Sequence, residues 1–152
     1  MGVQVHHTGI TVSDVERSAA FYKLFGLEEA TRFVLEGDEF EAAVGVPGAV
    51  AQFVMLRGKN TVVELIQYTQ GSGRGFDRSN NDVGSAHVCF TIDDMEETRR
   101  RLESAGVPLA AAPTTPAGGT TFAFLRDPDG ISVEILQVGP GATLESMGVE
   151  SA

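Results

Sequence analysis

The sequence predicts an α+β fold built from two copies of one small strand–helix–strand module, and three observations predict it. The first is a repeat of landmarks. "HTGITVSD" runs from His7 to Asp14 and "HVCFTIDD" from His87 to Asp94, and the helical stretches after them stop at Gly26 and Gly106, so His, Asp and Gly recur at one offset of 80. The second is a repeat of the later segments. "FVMLRGKNTVVELIQY" lies beside "FAFLRDPDGISVEILQV", which aligns Leu56 and Arg57 with Leu125 and Arg126, and Glu64 with Glu134 after one extra turn residue. The third is a change of hydrophobic period at matching places, from two to about 3.6 residues. Together they describe a duplicated unit of about 65 residues.

Each element has its own warrant. Residues 5 to 12 alternate, with Thr8, Ile10 and Val12 facing one way and His7, Gly9 and Thr11 the other, the pattern of a half-buried strand. A helix over 14–25 follows: Val15, Ala19, Phe21, Tyr22 and Phe25 form an apolar stripe, Ser13 or Asp14 caps its start and Gly26 ends it. Strands near 29–35, 50–57 and 61–68 complete the first copy, and "GVPGA" at 45–49 reads as loop. The second copy has a strand at 86–92, a helix at 94–104, a short strand near 108–112 and a strand at 120–126. A "DPDG" turn at 127–130 then leads to a strand at 131–138. The expected domains are an N-terminal module at 1–70, a Gly-, Ser-, Asn- and Asp-rich linker at 71–84, a C-terminal module at 85–138, and a tail at 139–152 that is either frayed or packed on a partner subunit.

Composition removes several functions. The 152 residues are 42% hydrophobic, enough for an ordinary core, and no run approaches the ~18 apolar residues of a membrane span. No secretory signal opens the chain, so a cytoplasmic protein is expected. Eleven Lys and Arg against 21 Asp and Glu give a net charge of −10, which repels phosphate backbones and argues against nucleic acid as a partner. The one cysteine, Cys89, has no partner for a disulfide or a thiolate cluster and reads as a structural thiol.

Side-chain parity picks out the chemistry. In the strand at 86–92, Val88, Phe90 and Ile92 form the face a helix would cover, leaving His87, Cys89 and Thr91 opposite, so His87 matches His7. Glu64 alternates against Val63 and Leu65, and Glu134 against Val133 and Ile135. His7, Glu64, His87 and Glu134 thus occupy equivalent faces in the two copies. The glutamates lie in "TVVELI" and "ISVEIL", where a carboxylate must be paired, protonated or metal-bound. Two imidazoles and two carboxylates suit Zn, Ni, Co, Fe or Mn better than Mg. Phe53, Met55, Phe122 and Phe124 recur at strand spacing as core or cleft lining, and "GGTT" at 118–121 reads as the turn into a strand.

At these residues the chain resembles the vicinal oxygen chelate superfamily, which includes glyoxalase I, methylmalonyl-CoA epimerase, extradiol dioxygenases and the fosfomycin and bleomycin resistance proteins. The resemblance covers about residues 4–138 and rests on "HHTGITVSDVERSAAFYKLFGL", "VVELIQY", "SAHVCFTIDD" and "GGTTFAFLRDPDGISVEIL". It implies tandem βαβββ modules whose curled mixed sheets surround a metal-binding cleft. His7 rather than His6, with Glu64, His87 and Glu134, would hold one divalent ion per complete site. It also implies a homodimer acting on a small-molecule substrate with vicinal oxygens. The resemblance further implies a lyase or isomerase that moves a proton beside a chelated carbonyl, with Glu134, then Glu64, as the catalytic carboxylates and Glu41 as an outer alternative.

The ligand pattern is most similar to glyoxalase I, because the epimerase commonly has glutamine at the position of Glu64 and extradiol dioxygenases have no ligand there. The alternatives are an epimerase of an acyl-CoA or related carbonyl compound, an extradiol-type dioxygenase, or a ligand-binding or drug-resistance protein. Two departures stand against a glutathione substrate: Thr11 and Tyr68 occupy positions where short bacterial glyoxalase I has an arginine and an asparagine. The long segment "LEGDEFEAAVGVPGAV" brings Glu39 and Glu41 toward the expected substrate wall.

Overall fold

The computed structural model describes residues 2–75, 77–117 and 119–148. The chain divides into two compact units, residues 1–75 and 76–152. Both are α+β, and each sheet mixes one parallel pair with antiparallel pairs.

In the first unit, β1 (Thr8–Thr11), α1 (Val15–Lys23), β2 (Glu28–Glu36), α2 (Asp38–Val44), β3 (Val50–Arg57) and β4 (Val62–Gln70) follow in order. The sheet order is β1-β4-β3-β2, with β1 parallel to β4. Helix α1 packs on β3 and β4, burying Val15, Ala19, Phe21 and Tyr22 over the sheet face that carries Val54, Leu56, Val63 and Leu65. Each fully buried leucine or valine there contributes about 1.5–3 kcal/mol. The Asp14 carboxylate accepts from the amides of Glu16 and Arg17, both at 3.0 Å, which satisfies donors the helix itself leaves unpaired. A second acceptor comes from far along the chain: Gln67 Oε1 takes the Val15 amide at 2.9 Å.

The second unit repeats this plan with β5 (His87–Thr91), α3 (Met95–Ser104), β6 (Thr121–Arg126) and β7 (Ser132–Gln137), in sheet order β5-β7-β6. Asp94 caps α3 through the Glu97 amide at 2.7 Å, and Gln137 Oε1 accepts the Met95 amide at 2.8 Å, the counterpart of Gln67. The expected turn is present: Asp127 Oδ1 accepts from the amides of Asp129 and Ile131 at 2.9 and 2.8 Å, and Gly130 takes the left-handed φ of 84° that closes it. A short 3-10 turn at Glu145–Met147 lies in the tail. Gly118 of "GGTT" lies outside the described residues.

Two elements differ from the sequence expectation. Residues 38–44, to which the sequence reading gave no element, form the helix α2, bounded by Gly37 (φ 93°) and Gly45 (φ 69°). The short strand expected near 108–112 is reduced to isolated bridges, Leu109 to Leu125 and Thr114 to Phe122. Pro108, Pro113 and Pro116 lack the amide hydrogens a fourth strand needs to pair.

Candidate metal centre

Strand register sets out the first half of the site. Gly9 of β1, Glu64 of β4, Met55 of β3 and Thr31 of β2 lie side by side across the sheet, on the face opposite α1. His7 stands two residues before Gly9 and points the same way. Its Nε2 lies 3.2 Å from Glu64 Oε2, with the imidazole 35% and the carboxylate 12% exposed. The carboxylate is therefore mostly withdrawn from water while the imidazole is open to it. His7 Nδ1 is 2.7 Å from His6 Nδ1, so one ring donates and the other accepts. When His7 is the donor, its Nε2 lone pair faces the Glu64 side, the tautomer a metal ligand requires. Gly9 keeps the space beside the carboxylate open, since a Cβ there would stand 3.5 Å from Glu64 Oε2.

The second unit holds the same pair. His87 Nε2 is 3.0 Å from Glu134 Oε2, with exposures of 45% and 16%. Across this sheet Cys89, Glu134 and Phe124 share one level, so a thiol stands where the first unit has Gly9. Burial, and then the charge of Glu134 and a hydrogen bond to it, push the Cys89 thiol up to about 12, which keeps it protonated and inert at neutral pH. His87 meets the Phe124 ring edge-to-face, with centroids 5.3 Å apart.

All four sequence-derived ligands therefore sit on the predicted faces, and the structure brings them together as two pairs. Among the described residues no group of three or more His, Cys, Asp or Glu side chains gathers to hold an ion. Each pair offers one nitrogen and one oxygen, half of a four-coordinate set. Among the described residues neither carboxylate meets a lysine or arginine, so an imidazole is the one potentially cationic group beside each. An imidazole nitrogen beside a mostly buried carboxylate is donor chemistry of the kind divalent transition ions take.

Other candidates fall elsewhere. Glu39 and Glu41 lie on α2, where no ion pair engages them among the described residues. Tyr68 lies on the Glu64 face but stacks on Phe40, with centroids 6.4 Å apart. His6 as a partner of His7 escaped the sequence reading, which had no means of telling a neighbour's tautomer.

Comparison with known proteins gives the family. Residues 4–135 match the Glyoxalase/Bleomycin resistance protein/Dioxygenase superfamily, and the chain belongs to it. A lactoylglutathione lyase of Schizosaccharomyces pombe is 30% identical over 88% of this chain, which spans 47% of that relative. An ethylmalonyl-CoA/methylmalonyl-CoA epimerase of Cereibacter sphaeroides is 30% identical over 89% of this chain and 98% of its own length. Among solved structures, a glyoxalase family protein from Bacillus cereus superposes with a TM-score of 0.84 at 19% identity, covering 91% of this chain and 97% of the other. A fosfomycin resistance protein from Listeria monocytogenes, crystallised with Mn(II) and sulfate, gives 0.60 at 17% identity over 97% and 98%.

Proposed function

We propose that this chain is a divalent-metal-dependent lyase or isomerase of the glyoxalase I-like kind, moving a proton at a carbon next to a chelated carbonyl. The observation that carries this reading is the duplicated His–Glu pair, at 3.2 and 3.0 Å, with each carboxylate mostly buried and lacking a basic partner among the described residues. His7, Glu64, His87 and Glu134 would hold one ion of Zn, Ni, Co, Mn or Fe per complete site, the two pairs meeting within a chain or across a homodimer. When bound, the ion supplies Lewis acidity toward two adjacent substrate oxygens, which makes the neighbouring C–H more acidic. The residues of the chain do the rest. Glu134 and Glu64 are the two carboxylates placed to take a proton and return it. The open imidazoles leave room for a small substrate beside them. No helix among the described residues is long and apolar enough to cross a membrane, in keeping with a small-molecule substrate met in solution.

The test is metal uptake. Chelator-treated protein reconstituted with each metal in turn should take up about one ion per complete site, and His7→Ala, Glu64→Ala, His87→Ala and Glu134→Ala should each lower affinity by more than the roughly 10–100-fold that an outer partner is worth. Uptake that is absent, or indifferent to all four substitutions, refutes the site. Light scattering on the same samples measures whether the loaded species is a dimer.

A further inference from the structure

Resting on that reading, we infer that the substrate carries a bulky, uncharged apolar ring beside its vicinal oxygens, and that Phe40 on α2 selects it. The level of Glu64 is followed on the same face by Thr11, Ile66, Phe53 and Phe33, and then by Tyr68, Ala51 and Leu35. At about 3.3 Å per residue these levels lie roughly 7 and 13 Å from the ligand level, the reach of a ring attached to a chelating group. Phe33 lies flat on Phe53, with centroids 4.9 Å apart and planes within 8°. Phe40 then descends from α2 onto both Phe53, at 6.0 Å, and Tyr68, at 6.4 Å.

This wall is unfinished. Phe33 and Leu35 remain 40% and 42% exposed on the face that carries a mostly buried carboxylate, and apolar surface of that kind marks a binding wall. Charge narrows the occupant. Neither level carries a lysine or arginine, and α2 adds Asp38, Glu39 and Glu41 with no basic residue in its last turn. Among the described strand residues of this face the cation is Arg57, which follows Met55 on the far side of the Glu64 level. An anionic tail such as a carboxylate or phosphate therefore finds no partner at the aromatic end. The second unit has no equivalent: its matching level is Thr91, Leu136 and Phe122, and among its described residues no second helix lies between its strands.

Two chelators that differ only in the attached group test this. Metal-loaded protein should bind benzohydroxamate roughly tenfold or more tighter than acetohydroxamate, the return expected from covering one ring. Phe40→Ala, and independently Phe33→Ala should α2 fail to fold in the first variant, should bring the ratio toward one at unchanged metal content. Equal affinities in the native protein, or a ratio unmoved in both variants, overturn the inference. Metal content, measured alongside, reports separately on the proposed centre. If no ion binds, metal-free protein decides: benzamide should shift the NMR signals of Phe33, Phe40 and Tyr68 and benzoate should not, and absence of any benzamide shift overturns the inference as well.

Discussion

The two units present one His–Glu pair from one pair of strand positions, yet they differ in nearly everything around it. In the first, His7 leans on His6, Gly9 places no side chain beside the carboxylate, and a fourth strand and a second helix carry an aromatic wall. In the second, Ala86 replaces His6, Cys89 replaces Gly9, and a proline-rich loop runs where the fourth strand would be. The difference teaches which parts of the module are coupled. Ligand positions follow from strand register, which a one-residue slip would destroy, whereas the walls hang on loops between strands and are free to change.

The widest expected gap between the halves is chemical. Glu134→Gln should reduce deuterium exchange at the substrate carbon by about 10²–10⁴-fold, and Glu64→Gln by less, if the second unit supplies the base and the first mainly the ligand. Equal losses would erase that division, and exchange persisting in both variants would remove the carboxylates from the reaction. A narrower gap concerns His6. His6→Ala should weaken metal binding by about 10–100-fold by freeing the His7 tautomer, while the second unit has no side chain whose loss matches it.

Most of the architecture was legible because parity is a strict code on strands. Val63 and Leu65 are fully buried while Glu64 between them is not, and Val133, Glu134 and Ile135 repeat the pattern. Helix α2 was not legible: its seven residues bury none of their number, so "DEFEAAV" leaves no apolar stripe to read. The missing strand misled for the opposite reason, since "PLAAAP" is apolar enough for a strand but its prolines cannot complete a ladder. Gln67 and Gln137 escaped because a glutamine in a strand looks like a surface residue until the helix it serves is placed over it.

Smaller effects sharpen the likeness between the halves. Asp14→Ala and Asp94→Ala should each cost about 1 kcal/mol in urea denaturation, since each removes a helix cap of the same kind. A marked inequality would show that the caps are not equivalent. The smallest effect is a titration in the first unit. The hydrogen bond from Arg32 at 2.7 Å, helped by Lys23, holds the Glu29 carboxyl down to about 2 from an ordinary 4.5. A carboxyl lowered in this way supports the fold above pH ~4.5 and loses that support as pH falls through about 2. Because the group is exposed, the contribution is small. NMR titration should place the Glu29 midpoint near 2, and Arg32→Gln should return it toward 4.5.

The glutamine acceptors also bear on how each unit assembles. The first turn of α1 is completed by a residue 52 positions away and that of α3 by one 42 away, so neither helix start is finished until the last strand has docked. Closing the two spans differs by only about 0.2 kcal/mol in chain entropy, which gives neither half a head start. The amide protons of Val15 and Met95 are consequently latches tying each helix start to its last strand, and their hydrogen exchange would report the undocking of that strand from each half.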